Sequence, residues 1–325
     1  MTFVSRRVAG FLVGLAALVA QAPALAAGYV LHMLPSLGGT PSRAVSINAQ
    51  GVIVGSSATP DGFVHAAVWR DGHVHTLVPD GSKAWSINDR GMVVLVSGSS
   101  SYLLRPGHEA LRLSDLWYPA MINQQGVMAG RWGSGDDGAI MTARKAFGLV
   151  GPPNNFGTSA SWLNERREAV GFSRVNGNDA PTLWRDDGQY VLLPVLGTGG
   201  VATAVNDHGM IVGRCWDDDG FVHTQAVRWD HLQPVALPGP LPSAANAAND
   251  VGQIVGSITP VPGSPTHAAL WTQSGMTDLN DYLDPAMKQA GWVVQAAYAI
   301  NASGWIVGEM DNTVTLEKRA YVLTR

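Results

Sequence analysis

The sequence predicts an all-β chain, a seven-bladed β-propeller of four-stranded antiparallel blades whose ring is closed by the N-terminal strand. Three observations predict it: a phrase that recurs seven times, a second hairpin signal inside three of the copies, and complementary half-repeats at the two ends. Composition agrees. Gly is 38 of 325 residues and charged residues are only 14 %, against about 25 % in ordinary domains, so the chain is rich in turns and poor in helix-type segments.

The phrase is clearest at Ala44-Val-Ser-Ile-Asn48-Ala-Gln-Gly51-Val-Ile-Val-Gly55. Its anchors are Asn48, Asn88, Asn123, Asn164, Asn206, Asn249 and Asn301, spaced by 40, 35, 41, 42, 43 and 52 residues. The first Gly recurs at 51, 91, 126, 209, 252 and 304, with Arg167 in the fourth copy; the second recurs at 55, 130, 171, 213, 256 and 308, with Leu95 in the second. Asn, two residues and Gly between apolar runs specify a hairpin whose type I turn ends in a left-handed residue. Arg167 in that conformation costs about 1–2 kcal/mol. A second signal, His65-Ala-Ala-Val-Trp69-Arg-Asp71-Gly72 running on to Leu77, is echoed at 180–193 and 267–279. Asp-Gly between alternating runs is a further hairpin. Each copy then holds four strands in about 42 residues, the period of a propeller blade.

The last copy has a third strand at Arg319 to Leu323 and stops. Its fourth strand is supplied from the start of the chain, where 29–40 matches the fourth-strand segment 190–200. Residues 29–37 are therefore expected to pair with 319–323, leaving no open edge at the seam.

These phrases resemble the repeat of the HAF family of bacterial extracellular repeat proteins, and so does the insertion from Asp278-Leu-Asn-Asp-Tyr-Leu to Gly291-Trp292. The resemblance covers essentially all of 28–325. It departs at Tyr102 to Gly107 and Ile140 to Arg144, which lack the repeat Trp. It implies an exported bacterial repeat protein. It implies no established activity, and no catalytic residue is carried over from it.

The leader points the same way. Arg6-Arg7, an apolar run from Val8 to Ala20 and Ala24-Leu25-Ala26 form a secretory signal peptide over 1–26, cleaved after Ala26, with 27–325 as one propeller domain. A membrane span needs about 20 apolar residues, and Gln21 and Pro23 end this run earlier. Ala9-Gly10 stand where a twin-arginine signal carries its apolar pair, which favours the general secretory route. Cys215 is the single cysteine, so no internal disulfide forms and no thiol at the cleavage site takes a lipid. The expected product is secreted or periplasmic and not a lipoprotein, with Cys215 a small buried core residue.

Net charge is −4, and −6 once Arg6 and Arg7 leave, a field that repels nucleic acid. His65, His223 and His267 recur at one repeat position and are read as structural hydrogen-bonding groups. His73 and His75 share a strand face but have no identifiable third ligand, so no metal site and no cofactor is expected. The clusters Asp136-Asp137-Gly138 and Asp217-Asp218-Asp219-Gly220 are the one place where grouped carboxylates could hold a structural calcium ion. Because Asp219-Gly220-Phe-Val-His223 repeats Asp61-Gly62-Phe-Val-His65, a plain turn is the favoured reading.

Trp69, Trp184, Trp229 and Trp271 occupy the third-strand position and are expected in the core. Trp132 and Trp216 differ: each follows a Gly-Arg step and opens a loop with an acidic cluster. The connections between second and third strands and between blades vary from copy to copy, and variable loops on a rigid scaffold carry function. The sequence thus marks Arg131, Trp132, Asp136, Asp137, Arg214, Trp216, Asp217 and Asp218 as a ligand-contacting surface. The preferred reading is a non-enzymatic exported scaffold for a glycan, peptide or envelope protein. The alternative is an extracellular polymer-degrading enzyme using Asp136, Asp217 and Asp218 near the funnel as acid and base.

Overall fold

Each Asn-x-x-Gly phrase folds as a strand, a tight turn and a strand. The Gly51 N–H donates to the Asn48 carbonyl and the Asn48 N–H to the Val52 carbonyl, both at 3.1 Å. The six glycines at this position have φ between +71° and +83°, where a side chain meets the backbone. Arg167 takes the same turn at φ +58° and keeps the bond from its N–H to the Asn164 carbonyl, so the strain expected from the sequence is present. The second Gly has a different cause. A Cβ on Gly55 would lie 1.9 Å from the Arg43 carbonyl oxygen, and 1.8–2.2 Å clashes recur at Gly130, Gly171, Gly213, Gly256 and Gly308. Only a residue without Cβ lets the strands approach so closely there. Asp71 and Gly72, both at positive φ, form the type I′ turn their sequence specifies.

The computed structural model describes residues 28–79, 81–113, 117–133, 137–153, 155–217 and 223–325, with 155 and 156 in backbone only. It is a seven-bladed β-propeller of four-stranded antiparallel sheets. The innermost strands of blades 1 to 7 are Ser42–Ile47, Ser82–Ile87, Trp117–Ile122, Asn155–Leu163, Gly199–Val205, Ser243–Ala248 and Trp292–Ile300. Blades 1 to 6 continue outward in chain order. Blade 7 takes its outer strand, Val30–Met33, from the other end of the chain, in the register Val30 to Thr324 through Met33 to Tyr321. The expected closure is therefore observed, with Leu34 N–H adding a bond to the Ala320 carbonyl at 2.9 Å. The leader and its cleavage site lie outside the described residues. Among the described residues no helix is long and apolar enough to cross a membrane.

The core is distributed between neighbouring sheets. One cluster joins Val54 and Ala66 of blade 1 to Ile87, Val93 and Leu95 of blade 2; another joins Met121 and Ala129 of blade 3 to Leu163 and Trp184 of blade 4. The four repeat tryptophans are buried, as expected, and each indole N–H bonds the blade before it. Trp69, Trp184, Trp229 and Trp271 donate to the carbonyls of Pro35, Val150, Pro194 and Pro238 at 2.7–2.9 Å. A buried indole needs such a partner. His65 meets Thr76 and His267 meets Asp278, both across the third and fourth strands of a blade, the structural role assigned to them. The insertion before blade 7 forms a 3₁₀ turn over Leu279–Tyr282 and a helix over Pro285–Gln289, capped by Asp278 and Asp284.

One irregularity shapes the channel. In all seven innermost strands the register slips by one residue, three positions before the anchor Asn. The skipped residues are Val45, Trp85, Ala120, Ser161, Thr203, Asn246 and Tyr298. Such a bulge leaves a residue outside the ladder and re-aims its side chain.

Candidate functional site

The anchor asparagines ring one end of the channel. Each Nδ2 donates to the backbone carbonyl of the next blade's asparagine, from Asn48 to Asn88 and onward to Asn301, which returns to Asn48; the seven bonds measure 2.9–3.3 Å. Each Oδ1 accepts the N–H four residues on. The side chains are buried and their polar atoms are used, which is what burial of an amide demands. Just outside this belt the carboxylates of Asp89, Glu165, Asp207 and Asp250 accept backbone N–H groups from the preceding blades at 2.6–2.9 Å. Burial pushes the Glu165 carboxyl above its ordinary range, and the negative charges of Asp207 and Asp89 add to the shift. The cavity here is about 250 Å³. Its polar groups serve the ring.

A second cavity lies towards the other end of the channel. It measures about 530 Å³ and lies across blades 2, 3 and 4, within the range of small-ligand sites. Lys83 and Trp85 reach it from the innermost strand of blade 2, Tyr118 and Ala120 from that of blade 3, and Ser159 and Ser161 from that of blade 4. Arg131, on the second strand of blade 3 and paired with Tyr118, completes the wall. Trp85, Ala120 and Ser161 are bulge residues. The slip delivers an indole, 44 % exposed, to the channel mouth. The bulge side chains of blades 5 and 6 are committed elsewhere: Thr203 Oγ1 donates to the Ala245 carbonyl at 2.7 Å and Asn246 Nδ2 to the Ala297 carbonyl at 2.8 Å.

On the seam between blades 7 and 1, the Arg43 guanidinium lies 4.0 Å from the centre of the Tyr298 ring and 3.8 Å from Glu309. Lys318 holds both Glu309, at 3.7 Å, and Asp311, at 2.7 Å. Burial raises the Glu309 pKa, while Arg43 and Lys318 act against the shift.

The residues marked by the sequence are distributed as follows. Arg131 lines the pocket. Trp132, the next residue on the strand, points to the opposite side, is 40 % exposed and is not part of the wall. Asp137 is exposed and pairs with Trp132. Arg214 sits between Val201 and Ala226 in blade 5, where burial lowers its pKa. Trp216 is half-buried, with its indole against Gly199, and Asp217 is exposed. Asp136 and Asp218 lie outside the described residues. Cys215 is buried and its thiol is pushed up to about 11 by burial, in keeping with its reading as core. Sequence reasoning missed Lys83, Trp85, Tyr118, Ala120, Ser159 and Ser161. The available signal was the third residue before each Asn, which varies from Ala to Trp inside an otherwise uniform phrase.

No family model matches the sequence, and no curated protein matches it. Solved structures do. An acylaminoacyl peptidase from Pyrococcus horikoshii aligns with TM-score 0.58 and 9 % identity over 87 % of this chain and 51 % of its own. TolB from Acinetobacter baumannii aligns at 0.48 and 14 % over 69 % and 62 %, and an Aleuria aurantia lectin at 0.39 and 11 % over 75 % and 96 %. The chain thus spans about half of the peptidase and less than two thirds of TolB. At 9 % identity the likeness to the peptidase is one of fold.

Proposed function

We propose that this protein is an exported, non-enzymatic binding scaffold whose ligand enters the end of the channel opposite the asparagine belt and seats between blades 2, 3 and 4. The observation that carries this is the pocket itself, where bulges deliver an exposed indole beside two cations and two hydroxyls. An exposed Trp on a rigid wall is an anchor without a partner. The opposite mouth, by contrast, spends its polar groups on holding the ring. Export rests on the leader over 1–26 and on the resemblance to the HAF repeat. Its check is the mass of the secreted or periplasmic product, which should begin at Ala27.

The binding reading is tested by titrating a panel of neutral and acidic glycans and envelope-derived peptides by calorimetry. Ala120→Leu fills the pocket without changing charge and should reduce affinity at least tenfold, with the melting temperature unchanged. Ligand binding indifferent to Ala120→Leu and Trp85→Ala would move the site away from the channel. Release of cleaved product from a glycan in the panel would favour the enzymatic alternative.

A further inference from the structure

We infer that the pocket recognises an acidic sugar, a pyranose ring bearing a carboxylate; this rests on the binding reading above and names its ligand class. Lys83 and Arg131 enter from adjacent blades, and among the described residues lining the pocket none is acidic. Arg43, one blade further round, occupies the position of Lys83 on its own innermost strand but is paired with Glu309 there, so the cations of the pocket are Lys83 and Arg131. This pair lies in a protein of net negative charge whose other channel mouth carries four carboxylates. The lining of this pocket is cationic where the belt end is lined by carboxylates, and an anion is favoured beside the cations.

The charge alone would suit any anion, and the remaining lining selects among them. Trp85 and Tyr118 offer flat apolar faces to the C–H face of a ring. Ser159 and Ser161, across the pocket on blade 4, carry hydroxyls that both donate and accept, matching sugar hydroxyls. A guanidinium and an ammonium take a carboxylate through charge-assisted hydrogen bonds. Ala120 lies on the blade between Trp85 and Ser161, and its small side chain leaves the space for the ring.

The test is calorimetry of the exported chain with oligosaccharides of galacturonate, glucuronate and mannuronate and with sialyllactose. Each acid is compared with its neutral methyl ester, alongside short peptides with a free carboxylate. At least one acid should bind tenfold or more tighter than its ester and weaken steeply between 50 and 300 mM salt. Lys83→Gln should reduce that affinity about tenfold at unchanged melting temperature, and Ala120→Leu should abolish it. Equal affinity for acid and ester, or acid binding that survives Lys83→Gln together with Arg131→Gln, overturns the inference. Binding of only neutral sugars or peptides, lost in Ala120→Leu, overturns the ligand class and leaves the scaffold reading standing. No binding by any member of the panel overturns both.

Discussion

Replacing Asn88 by Ala removes one link of the asparagine belt and leaves both flanking strands in place. The buried side chain makes three hydrogen bonds: Nδ2 donates to the Asn123 carbonyl at 2.9 Å, and Oδ1 accepts from Arg90 N–H at 3.1 Å and Met92 N–H at 2.9 Å. The Asn123 carbonyl keeps the Gly126 N–H as a second donor, so the groups left orphaned are the two amides of the turn. Arg90 is exposed and Met92 half-buried, so these amides regain water, and each of the three lost hydrogen bonds counts for about 1 kcal/mol net. The expected loss is about 3 kcal/mol. At about 2–4 °C per kcal/mol for a chain approaching this size, the melting temperature should fall by about 6–12 °C in calorimetry. Asn88→Asp separates the terms, because it keeps the acceptor and sets a carboxylate oxygen against the Asn123 carbonyl. Its deficit should match or exceed that of Ala at pH 7. It should shrink on acidification, since the introduced carboxyl has a raised pKa in the folded protein and donates once protonated. A melting temperature within 2 °C of wild type for Asn88→Ala would refute the reasoning and make the belt a by-product of closure.

Deleting 28–38 removes the outer strand of blade 7 and uncovers the apolar edge of Tyr321–Thr324; a large fall in melting temperature and solubility is expected, and an unchanged transition would contradict closure at this seam. Gly209→Ala should cost about 1–2 kcal/mol for its left-handed φ of +83°, whereas Gly213→Ala should cost more, because its Cβ would lie 2.0 Å from the Val201 carbonyl oxygen; denaturant titration ranks the two. The raised pKa of Glu165 means that the folded protein takes up this proton more readily than the unfolded chain. This group therefore adds stability as pH falls through its folded pKa, in full below the unfolded value of about 4.3. Glu165→Gln should gain on wild type at pH 7 and lose that advantage near pH 4, read as a difference in melting temperature. Cys215 should resist a thiol reagent at pH 8 when folded and react fully in denaturant. Finally, a Trp132→Ala, Trp216→Ala pair tests the rim marked by the sequence: lower affinity at equal stability places these rings on the ligand, while equal affinity at lower stability makes them packing residues.

The architecture was legible because it is written seven times. A repeated Asn-x-x-Gly turn, a repeated third-strand Trp and a half-repeat at each terminus fix turn, core and closure independently, and each was found where its residues placed it. The pocket was harder to read for a specific reason. Strict alternation assigns side chains to faces, and a one-residue slip reverses the assignment, so Trp85 and Ser161 could not be aimed from the sequence. The acidic clusters drew attention outward to the loops, whereas Lys83 and Tyr118, at unremarkable positions on inner strands, form the wall. In six blades the second Gly of the phrase lies beside the slip, in close contact with the Arg43 carbonyl or its equivalent, and blade 2 slips in the same way with Leu95 in its place. The function of the asparagine amide was equally hidden, because its acceptor belongs to the next blade.

That amide joint has a consequence for how the chain can be cut and rejoined. The link from Asn301 to Asn48 spans the two ends of the polypeptide, yet at 3.0 Å it has the geometry of links between blades that follow one another in sequence. Cohesion at each joint is thus indifferent to which pair of blades is covalently continuous. Joining residue 325 to residue 28 through a short linker and opening the chain between blades 4 and 5 should yield a circular permutant with the same ring and the same pocket. In it the present seam would become an ordinary internal joint, and a former internal joint would become the clasp.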